Sequence, residues 1–393
     1  MQQSFRRTWA IVDIDAINNN ISAIRSVIKP ACKIMSVVKA DAYGHGAENI
    51  SKQLEEKTDY FGVSSIDEAL QLRRIGIVKP ILILGYTPLE CIRLLIENDV
   101  IQTVFSSEYA KNIAEIAKNY QKKIKIHLKI DTGMSRLGFS CQTENEQNNS
   151  VNDILNIYRE FNKYLDFEGI YTHFAIADEQ KNNYTKTQFE RFISLLNDLK
   201  NKNLEFSVRH TCNSAATINF PEMHLDMVRP GLLLYGLYPS QNMKNIGIIP
   251  AMQLKSVISQ IRTIQQNATV SYGRVYKTSE ETVVATLPIG YADGFPRLLS
   301  NNAEVLVNGC KCPVIGRICM DQMMINITNI FHATEGQEVT IVGSDGNECI
   351  NFEELAKNLE TINYELICII GKRVPRIYMQ NGKIIGYFNY IEK

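Results

Sequence analysis

The chain has 393 residues, enough for two ordinary domains or for one large barrel with an appendage. Its 42 basic and 42 acidic residues cancel, so no bulk charge draws it to nucleic acid or to an anionic membrane. No apolar run approaches the roughly 20 residues of a membrane span, and the N-terminal segment lacks the apolar core of a secretory signal. The composition predicts a cytoplasmic protein whose partners are small molecules or other protein subunits.

The nine cysteines are scattered along the chain. Their densest group, Cys310, Cys312 and Cys319, lacks the paired C-x-x-C spacing of a structural zinc site. Reduced cytosolic thiols are the simplest interpretation, and no metal site is predicted.

Up to about residue 240, short apolar runs alternate with amphipathic stretches such as 66–75 and 184–200, where apolar residues recur at helical spacing. This alternation favours a parallel sheet closed as a (β/α)8 barrel of the TIM type, and a doubly wound open sheet is the alternative. The eight strand candidates are KIMSVVK, DYFGVSS, PILILGY, IQTVFSS, KIKIHLKI, FEGIYTHF, FSVRHTC and MVRPGLLLYG.

From about residue 250 the pattern becomes β-rich, with turn-forming Asn-Gly and Asp-Gly pairs between the apolar runs. The polar linker SQNMKNIGIIP precedes this change. The sequence therefore predicts an α/β plus β fold, with the barrel in residues 1–245 and a mainly β C-terminal domain in 246–393. The first residues of the chain could pair with the β domain. Strand-like segments there include QLKSVISQIRTI, TVVATLPIGY, AEVLVNG and EVTIVG.

The stretch VVKADAYGHG places Lys39 directly after the first strand candidate of the barrel. Active sites of such barrels lie at the C-terminal ends of the strands. A partly desolvated lysine there has a lowered pKa, and its free amine can form a Schiff base with an aldehyde. On the local pattern alone, a solvated strand-end lysine is the simpler interpretation.

Phosphate-suited segments follow the last two strand candidates, which are HTCNSAA and RPGLL. Barrels of this type commonly bind phosphate at these positions with hydroxyl and backbone N–H groups. Ser214 and the amides around Gly231 and Leu232 are suitable ligands. A Schiff-base lysine and a phosphate site in one barrel mouth are the two anchors that pyridoxal 5'-phosphate requires.

With these residues in view, VVKADAYGHG resembles the cofactor-lysine motif of the alanine racemase family, and the resemblance covers nearly the whole chain. It implies interconversion of L- and D-alanine by two bases acting on a pyridoxal-phosphate aldimine, supplying D-alanine for peptidoglycan. Further matching segments are KIDTGMSRLG, YTHFAIAD, HTCNSAA, RPGLLLYG, SYGRVY, LPIGYADGFPR, GRICMDQ and INYELIC.

The resemblance assigns the two bases to Lys39, which also holds the cofactor, and to Tyr272. Racemisation removes the α-proton on one face and returns it on the other, so one base on each face meets the requirement. Lysine would act on the D-alanine side and tyrosine on the L-alanine side. His173 would assist the tyrosine; a strand-end histidine satisfied by a neighbour is the alternative.

The resemblance also places Arg229 at the pyridine nitrogen, supported by His210. Arginine keeps its proton, so the ring nitrogen stays largely unprotonated and the cofactor becomes a weaker electron sink. Arg136 would contact the ring hydroxyl and the substrate carboxylate. Lys129 matches a position that some family members carry as a carbamate, and an ordinary strand lysine is the alternative.

Tyr43 and Tyr364 would close over the phosphate, with Tyr364 also narrowing the pocket for the substrate side chain. A bulky residue at 364 favours alanine over serine. The family pattern often has asparagine at position 41 and glycine at 135, where this chain has Asp41 and Ser135. The cofactor-binding residues that the resemblance implies are Lys39, Tyr43, Arg136, His173, Asn213, Ser214, Arg229, Gly231, Leu232 and Tyr364.

Tyr272, Met320 and Asp321 lie in the second domain. In the family such residues reach the site from the partner subunit of a head-to-tail homodimer, so the active sites are shared. The Met320 amide would meet the substrate carboxylate, and Asp321 would support Arg136. A core methionine and a solvated aspartate are the alternatives.

Three other functions remain open at this point. A racemase of broader specificity that accepts serine would use the same residues. A barrel decarboxylase with a β domain would use the same cofactor, but SYGRVY and CMDQ count against it. A non-catalytic pyridoxal-phosphate carrier generally lacks a second domain, so residues 250–393 count against that function.

Overall fold

A computed structural model describes residues 7–179 and 181–392. The chain divides into two compact units. The first, called here the barrel unit, comprises Ile17–Ala42 and Ala47–Ile249. The second, called the β unit, comprises the N-terminal residues up to Ala16, the segment Tyr43–Gly46, and Pro250–Lys393. The domain boundary between residues 245 and 246 stays a prediction.

Eight strands of the barrel unit form a closed parallel sheet, which confirms the predicted TIM-type barrel and excludes the open sheet. Strands are numbered along the whole chain, starting with β1 (Thr8–Asp13) in the β unit. In order around the barrel, the strands are β2 (Lys33–Val37), β3 (Tyr60–Val63), β4 (Ile81–Ile83), β5 (Val100–Val104), β6 (Ile124–Asp131), β8 (Leu165–Tyr171), β9 (Val208–His210) and β10 (Met227–Val228), which returns to β2. The short β7 (Phe139–Ser140) adds to β6.

Helices connect these strands, and polar caps define where several of them begin. Ser65 accepts a hydrogen bond from the Glu68 amide at the start of one helix. Thr143 and Glu146 form a capping box at the start of another. The helices predicted over 66–75 and 184–200 are confirmed. The helices are α1 (Ile14–Ser26), α2 (Lys39–Tyr43), α3 (Ala47–Leu54), α4 (Ile66–Arg74), α5 (Ile92–Glu97), α6 (Ser107–Asn119), α7 (Glu144–Phe161), α8 (Tyr184–Asn201) and α9 (Ser214–Asn219).

Apolar side chains from neighbouring strands pack together in the barrel. Fully buried side chains of this kind each stabilise the fold by about 1.5–3 kcal/mol relative to exposure. This interior fixes the strand ends, which makes the mouth of the barrel a rigid support for a site. One such buried cluster consists of Met35, Tyr60, Leu82, Ile101, Val208 and Met227, with Leu84 against it.

The β unit contains an eleven-stranded sheet and a separate two-stranded ribbon. β1 pairs antiparallel with β11 (Met252–Val257) and parallel with β21 (Arg376–Gln380). The predicted β segments are all strands. The remaining strands are β11 (Met252–Val257), β12 (Gln260–Ile264), β13 (Thr269–Val270), β14 (Tyr276–Lys277), β15 (Thr282–Leu287), β16 (Glu304–Val307), β17 (Cys310–Ile315), β18 (Met323–Asn326), β19 (Glu338–Asp345), β20 (Glu348–Ile350), β21 (Arg376–Gln380) and β22 (Lys383–Phe388), and the helices are α10 (Phe352–Asn358) and α11 (Asn363–Cys368).

The five-residue element α2 is not a right-handed helix, because the residues after Lys39 form a left-handed turn. Ala40, Asp41, Ala42 and Tyr43 have φ values of 51°, 55°, 53° and 53°. Non-glycine residues in this conformation cost about 1–2 kcal/mol each, so other contacts must hold the turn. The Ala40 amide donates to Glu68 Oε1 at 2.8 Å, and Asp41 Oδ1 accepts from the Ala47 amide at 2.8 Å. An asparagine oxygen could accept the second bond, which accounts for both residue types at position 41.

The segment Tyr43–Gly46 is held by buried side chains of the β unit. Arg376 is 1% exposed and donates to the carbonyl oxygens of Gly44 at 2.9 Å, Ile370 at 2.8 Å and Gly371 at 2.7 Å. The Tyr378 hydroxyl donates to the His45 carbonyl at 3.1 Å. The bonds to the Gly44 and His45 carbonyls fix the backbone path of the segment, whatever side chains it carries.

No helix in residues 7–179 and 181–392 is both long and apolar enough to cross a bilayer.

Gly44 tests how closely this segment is packed. It has φ +80°, and a Cβ there would lie 2.2 Å from the Ile367 carbonyl oxygen. Gly76 has a similar φ of +91°, but a Cβ there meets no atom within 4 Å. We expect Gly76→Ala to lower the free energy of unfolding by about 1–2 kcal/mol, the cost of the left-handed backbone alone. Gly44→Ala should cost about 2 kcal/mol more, because a backbone carbonyl must also move.

Urea unfolding followed by circular dichroism measures this difference between the two alanine variants. Equal destabilisation of both would show that the Tyr43–Gly46 segment accommodates the extra methyl group without strain.

Candidate active site

Basic side chains gather at the C-terminal ends of the barrel strands. β10 and β2 are parallel neighbours, so Arg229 and Lys39, which follow them, lie at the same end of the barrel. The Val37 amide donates to the Pro230 carbonyl at 3.0 Å and ties these two strand ends together. Lys39 itself is half-buried.

His173 lies among these cations. Burial and the nearby charges of Arg229, Arg136, Lys129 and Lys39 hold the pKa of His173 well below its ordinary value. The imidazole is therefore neutral at physiological pH, and its Nδ1 lies 3.4 Å from an Arg229 Nη2. The structure thus brings together five residues of the barrel unit that the sequence analysis selected.

Arg229 is a buried cation, 4% exposed, held mainly by carbonyl oxygens. Its Nη2 donates to the carbonyls of Thr172 and Thr211, each at 2.9 Å, and its Nη1 donates to His210 Nδ1 at 2.9 Å. Burial lowers its pKa to about 10, which still leaves it charged at neutral pH. Its Nε–H and one Nη1–H have no acceptor in the described part of the chain, so they remain as donors for a ligand.

Lys129 and Arg136 lie on β6 and on the loop that follows it. Lys129 is 4% exposed, and burial lowers the pKa of its amine to about 7. Its Nζ donates to the Ile130 carbonyl at 2.7 Å. Asp131 shapes the loop: its Oδ1 accepts from the amides of residues 133, 134 and 135 at 2.9, 2.9 and 3.0 Å. Ser135 has φ +55°, which explains why glycine also suits this position.

The predicted phosphate residues are close to one another after β9 and β10. Asn213 caps α9 through its side-chain oxygen, which accepts from the Ala216 amide at 3.0 Å. The Ser214 hydroxyl accepts from the Gly231 amide at 2.9 Å. Leu232 begins a short 3-10 helix directly after Gly231. The Gly231 bond leaves the Ser214 hydroxyl its own proton, which it can donate to an oxygen-rich ligand.

Tyr272 and Met320 of the β unit are exposed by 69% and 53%. Both line an open hollow of about 400 Å³ with Asp321. Asp321 pairs with Arg373, which also donates to the fully buried Asp293 at 2.8 Å. The predicted support of Arg136 by Asp321 stays a prediction. Large apolar side chains exposed in one concave surface are typical of an interaction site.

Tyr43 and Tyr364 also belong to the β unit, where their ring centroids lie 6.3 Å apart. Burial, with Tyr364 and Cys368 nearby, raises the pKa of Tyr43, so its hydroxyl keeps its proton and can donate a hydrogen bond. Protonated hydroxyls are good phosphate ligands.

Several residues that shape this site were not predicted from the sequence. Glu68, Asp131 and Asp293 anchor backbone or cationic groups, and the signal for Asp131 was its position two residues before glycine in IDTG. His127 and Glu168 extend the hydrogen bonds of His210 and gave no signal in the sequence. In the described residues, no cluster of three or more His, Cys, Asp or Glu is arranged to hold a metal ion.

Family models match both parts of the chain. The alanine racemase N-terminal domain matches residues 12–239, and the alanine racemase C-terminal domain matches residues 251–378. An alanine racemase of Methanococcus maripaludis is 47% identical over 94% of this chain and 98% of its own length. Alanine racemase 1 of Clostridium acetobutylicum is 42% identical over the full length of both chains.

Solved structures agree in fold. An alanine racemase of Clostridium difficile 630 has a TM-score of 0.93 at 40% identity, covering 99% of this chain and all of its own. The alanine racemase of Bacillus anthracis, solved with bound L-Ala-P, has a TM-score of 0.92 at 38% identity and covers 99% of each chain. With both domains matched in order and relatives this similar over their full length, the chain belongs to the alanine racemase family of isomerases.

Proposed function

We propose that this protein interconverts L-alanine and D-alanine with pyridoxal 5'-phosphate as cofactor, in the service of D-alanine supply for peptidoglycan. The observation that carries this proposal is the meeting of Lys39, Arg229, Arg136, Lys129 and neutral His173 at one end of the barrel. Full-length similarity to alanine racemases supports it.

The residues fit the cofactor, on the evidence of the remaining donors of Arg229 and the adjacent Ser214 and Gly231 groups. Lys39 would hold it covalently, and Arg229 would donate to its ring nitrogen. Arg136 and His173 would flank the ring. The phosphate would be bound by Tyr43, Asn213, Ser214, Gly231, Leu232 and Tyr364. The cofactor supplies an electron sink that acidifies the α-proton of an attached amino acid.

Two groups of this chain would move the α-proton, the Lys39 amine on one face and the Tyr272 hydroxyl on the other. A free tyrosine has a pKa near 10, so Tyr272 needs a partner that lowers the cost of its anion. The neutral imidazole of His173 suits this role. Its Nδ1 faces a donor of Arg229, so its proton lies on Nε2 and can be donated as a hydrogen bond to the tyrosine oxygen. Arg136 and the Met320 amide would hold the substrate carboxylate.

A head-to-tail homodimer with shared active sites is part of the proposal. The exposed hollow with Tyr272, Met320 and Asp321 supports it, because these side chains lie on a surface that a second subunit can cover. Tyr272 would then act on the cofactor of the partner subunit. The protein would work in the cytoplasm, with no nucleic-acid or membrane partner.

Lys129 is proposed to react with carbon dioxide. Its amine has a pKa of about 7, so a large share is unprotonated and nucleophilic at neutral pH. Addition of the amine to carbon dioxide forms a carbamate and releases one proton. The resulting anion would pair with Arg136 and relieve the crowding of cations at this end of the barrel.

Hydrogen exchange in deuterated water tests the function. With pyridoxal phosphate bound, we expect α-deuteration and loss of optical rotation with L- and D-alanine, and much slower exchange with serine because Tyr364 restricts the pocket. Lys39→Ala is the matched control. It should show no exchange, and after borohydride reduction no cofactor should remain on the peptide that contains position 39, unlike the wild type. Equal exchange of serine would indicate a broader racemase, and carbon dioxide release would contradict racemisation.

Tyr272→Phe separates the two faces of the reaction. It removes the hydroxyl that would act on the L-alanine side and keeps the ring, so exchange from L-alanine should fall by about 10²–10⁴. Exchange of the D-alanine α-proton, which uses Lys39, should fall much less. The measurement is the initial rate of deuterium uptake from each enantiomer, and equal full activity of the variant from both would exclude this role for Tyr272.

The pH dependence of stability tests the environment of Lys129. Its folded pKa of about 7 lies below the ordinary 10.5, so between these values the unfolded chain binds more protons. The free energy of unfolding should therefore rise with pH across this window, by at most about 1.4 kcal/mol per pH unit from this group. Lys129→Met should remove that contribution.

This experiment is done in buffers free of carbon dioxide, with Lys200→Met as the control, because Lys200 is exposed. Identical pH slopes of the free energy of unfolding for all three proteins would contradict the buried amine.

A separate experiment identifies the carbamate. The wild type in carbon-13-labelled bicarbonate should gain a carbamate NMR signal that Lys129→Met lacks.

A further inference from the structure

A row of hydrogen bonds runs through the barrel from Arg229 to a carboxylate. Arg229 Nη1 lies 2.9 Å from His210 Nδ1, His210 Nε2 lies 2.8 Å from His127 Nδ1, and His127 Nε2 lies 3.0 Å from Glu168 Oε2. Both histidines are fully buried. Glu168, whose side chain is 21% exposed, also bonds to Tyr60, the first residue of β3.

Only one arrangement of protons satisfies this row. Arg229 can only donate, so His210 Nδ1 must be the acceptor and its proton must lie on Nε2. His127 Nδ1 must then accept from His210, which leaves the His127 proton on Nε2, pointing at Glu168. Both imidazoles are neutral, in agreement with the lowering of their pKa values by burial.

The carboxylate of Glu168 completes the row as an acceptor. Burial raises the pKa of Glu168, but the hydrogen bonds from His127 and Tyr60, with the electrostatic attraction of His127 and Lys125, together bring it below its ordinary value. A reversed row would direct a His210 N–H at Arg229, donor against donor. Such a contact would push the guanidinium away from its position.

The backbone of β8 is adapted to this contact. The pairing of β6 with β8 is irregular at His127: Ile126 pairs with Phe167, and His127 with Gly169, so Glu168 is an extra residue. Such bulges change the direction of a side chain. A Cβ on Gly169 would lie 2.6 Å from the His127 ring, so only glycine leaves room for it.

We propose that Glu168 and His127 are positioning residues, which fix the tautomer of His210 and thereby hold Arg229 in place to donate to the cofactor ring. The inference extends the proposed function of Arg229, although the tautomers themselves do not depend on that function. The two ends of the row carry opposite charges, with Arg229 at one end and Glu168 at the other.

Nitrogen-15 NMR of the full-length chain labelled at histidine tests the tautomers directly, with and without bound pyridoxal phosphate. The chain has only six histidines, so the signals can be assigned by substitution. We expect the wild type to show His127 and His210 as neutral Nε2–H tautomers. A His210 carrying its proton on Nδ1 in the wild type would overturn the proposal.

Variants of Glu168 separate the acceptor from the charge. Glu168→Gln keeps an acceptor oxygen and should retain both tautomers. Glu168→Leu removes the acceptor, so His210 should become a mixture of tautomers and the affinity for pyridoxal phosphate should fall about tenfold, the effect of roughly one hydrogen bond. Asp166→Asn removes an exposed carboxylate of the same strand and serves as the control for charge alone.

A second pair covers the case in which Glu168→Leu does not fold. His127→Asn places an amide oxygen near the position of Nδ1 and should keep the His210 tautomer, whereas His127→Leu should lose it. The proposal would be overturned if His127→Leu had the same His210 tautomer and the same cofactor affinity as His127→Asn. Because the spectra of the cofactor-free protein report the tautomers, a failure of racemase activity leaves this test intact.

Discussion

The burial of the Arg229 charge is the constraint on which the barrel site depends. Taking an unpaired cation out of water costs several kcal/mol, and this barrel meets the cost with carbonyl oxygens and a neutral imidazole at 2.9 Å. An arginine held in this way cannot give up its proton. A cofactor ring nitrogen placed against it would therefore accept a hydrogen bond without becoming protonated. Such a cofactor would be a weaker electron sink, which would favour prompt return of the α-proton over side reactions.

The other basic groups at this end of the barrel share the same constraint. Burial is the main reason that His173 is neutral and that Lys129 has a pKa of about 7, and the charge of Arg229 lowers both pKa values further. A neutral histidine can donate a hydrogen bond to a tyrosine oxygen, and an unprotonated lysine can react with carbon dioxide. Burial and the guanidinium charge together thus favour the protonation states that the proposed chemistry requires.

The strands of both units and the family could be predicted from the sequence, because period-two apolar runs and motifs such as VVKADAYGHG are local signals. The row of hydrogen bonds from Arg229 to Glu168 could not be predicted. His127 lies within an apolar strand where its neighbours give no warning, and its partners are distant in the chain at positions 168 and 210. The bulge at Glu168 is a property of strand pairing, which a single sequence does not encode locally. The same holds for Arg376, whose acceptors include the carbonyl of Gly44, far along the chain.

The left-handed turn after Lys39 depends on contacts with residues distant in the chain. Four non-glycine residues at φ near 50° cost several kcal/mol together, and no local propensity favours them. Glu68 and Ala47 of the barrel unit fix the start of the turn, whereas Arg376 and Tyr378 of the β unit fix the segment that follows. Strain of this kind persists only where the surroundings determine the backbone completely. The chain meets that condition directly after Lys39, the residue that would carry the cofactor. A turn that is fixed before any ligand binds leaves less ordering for the binding step.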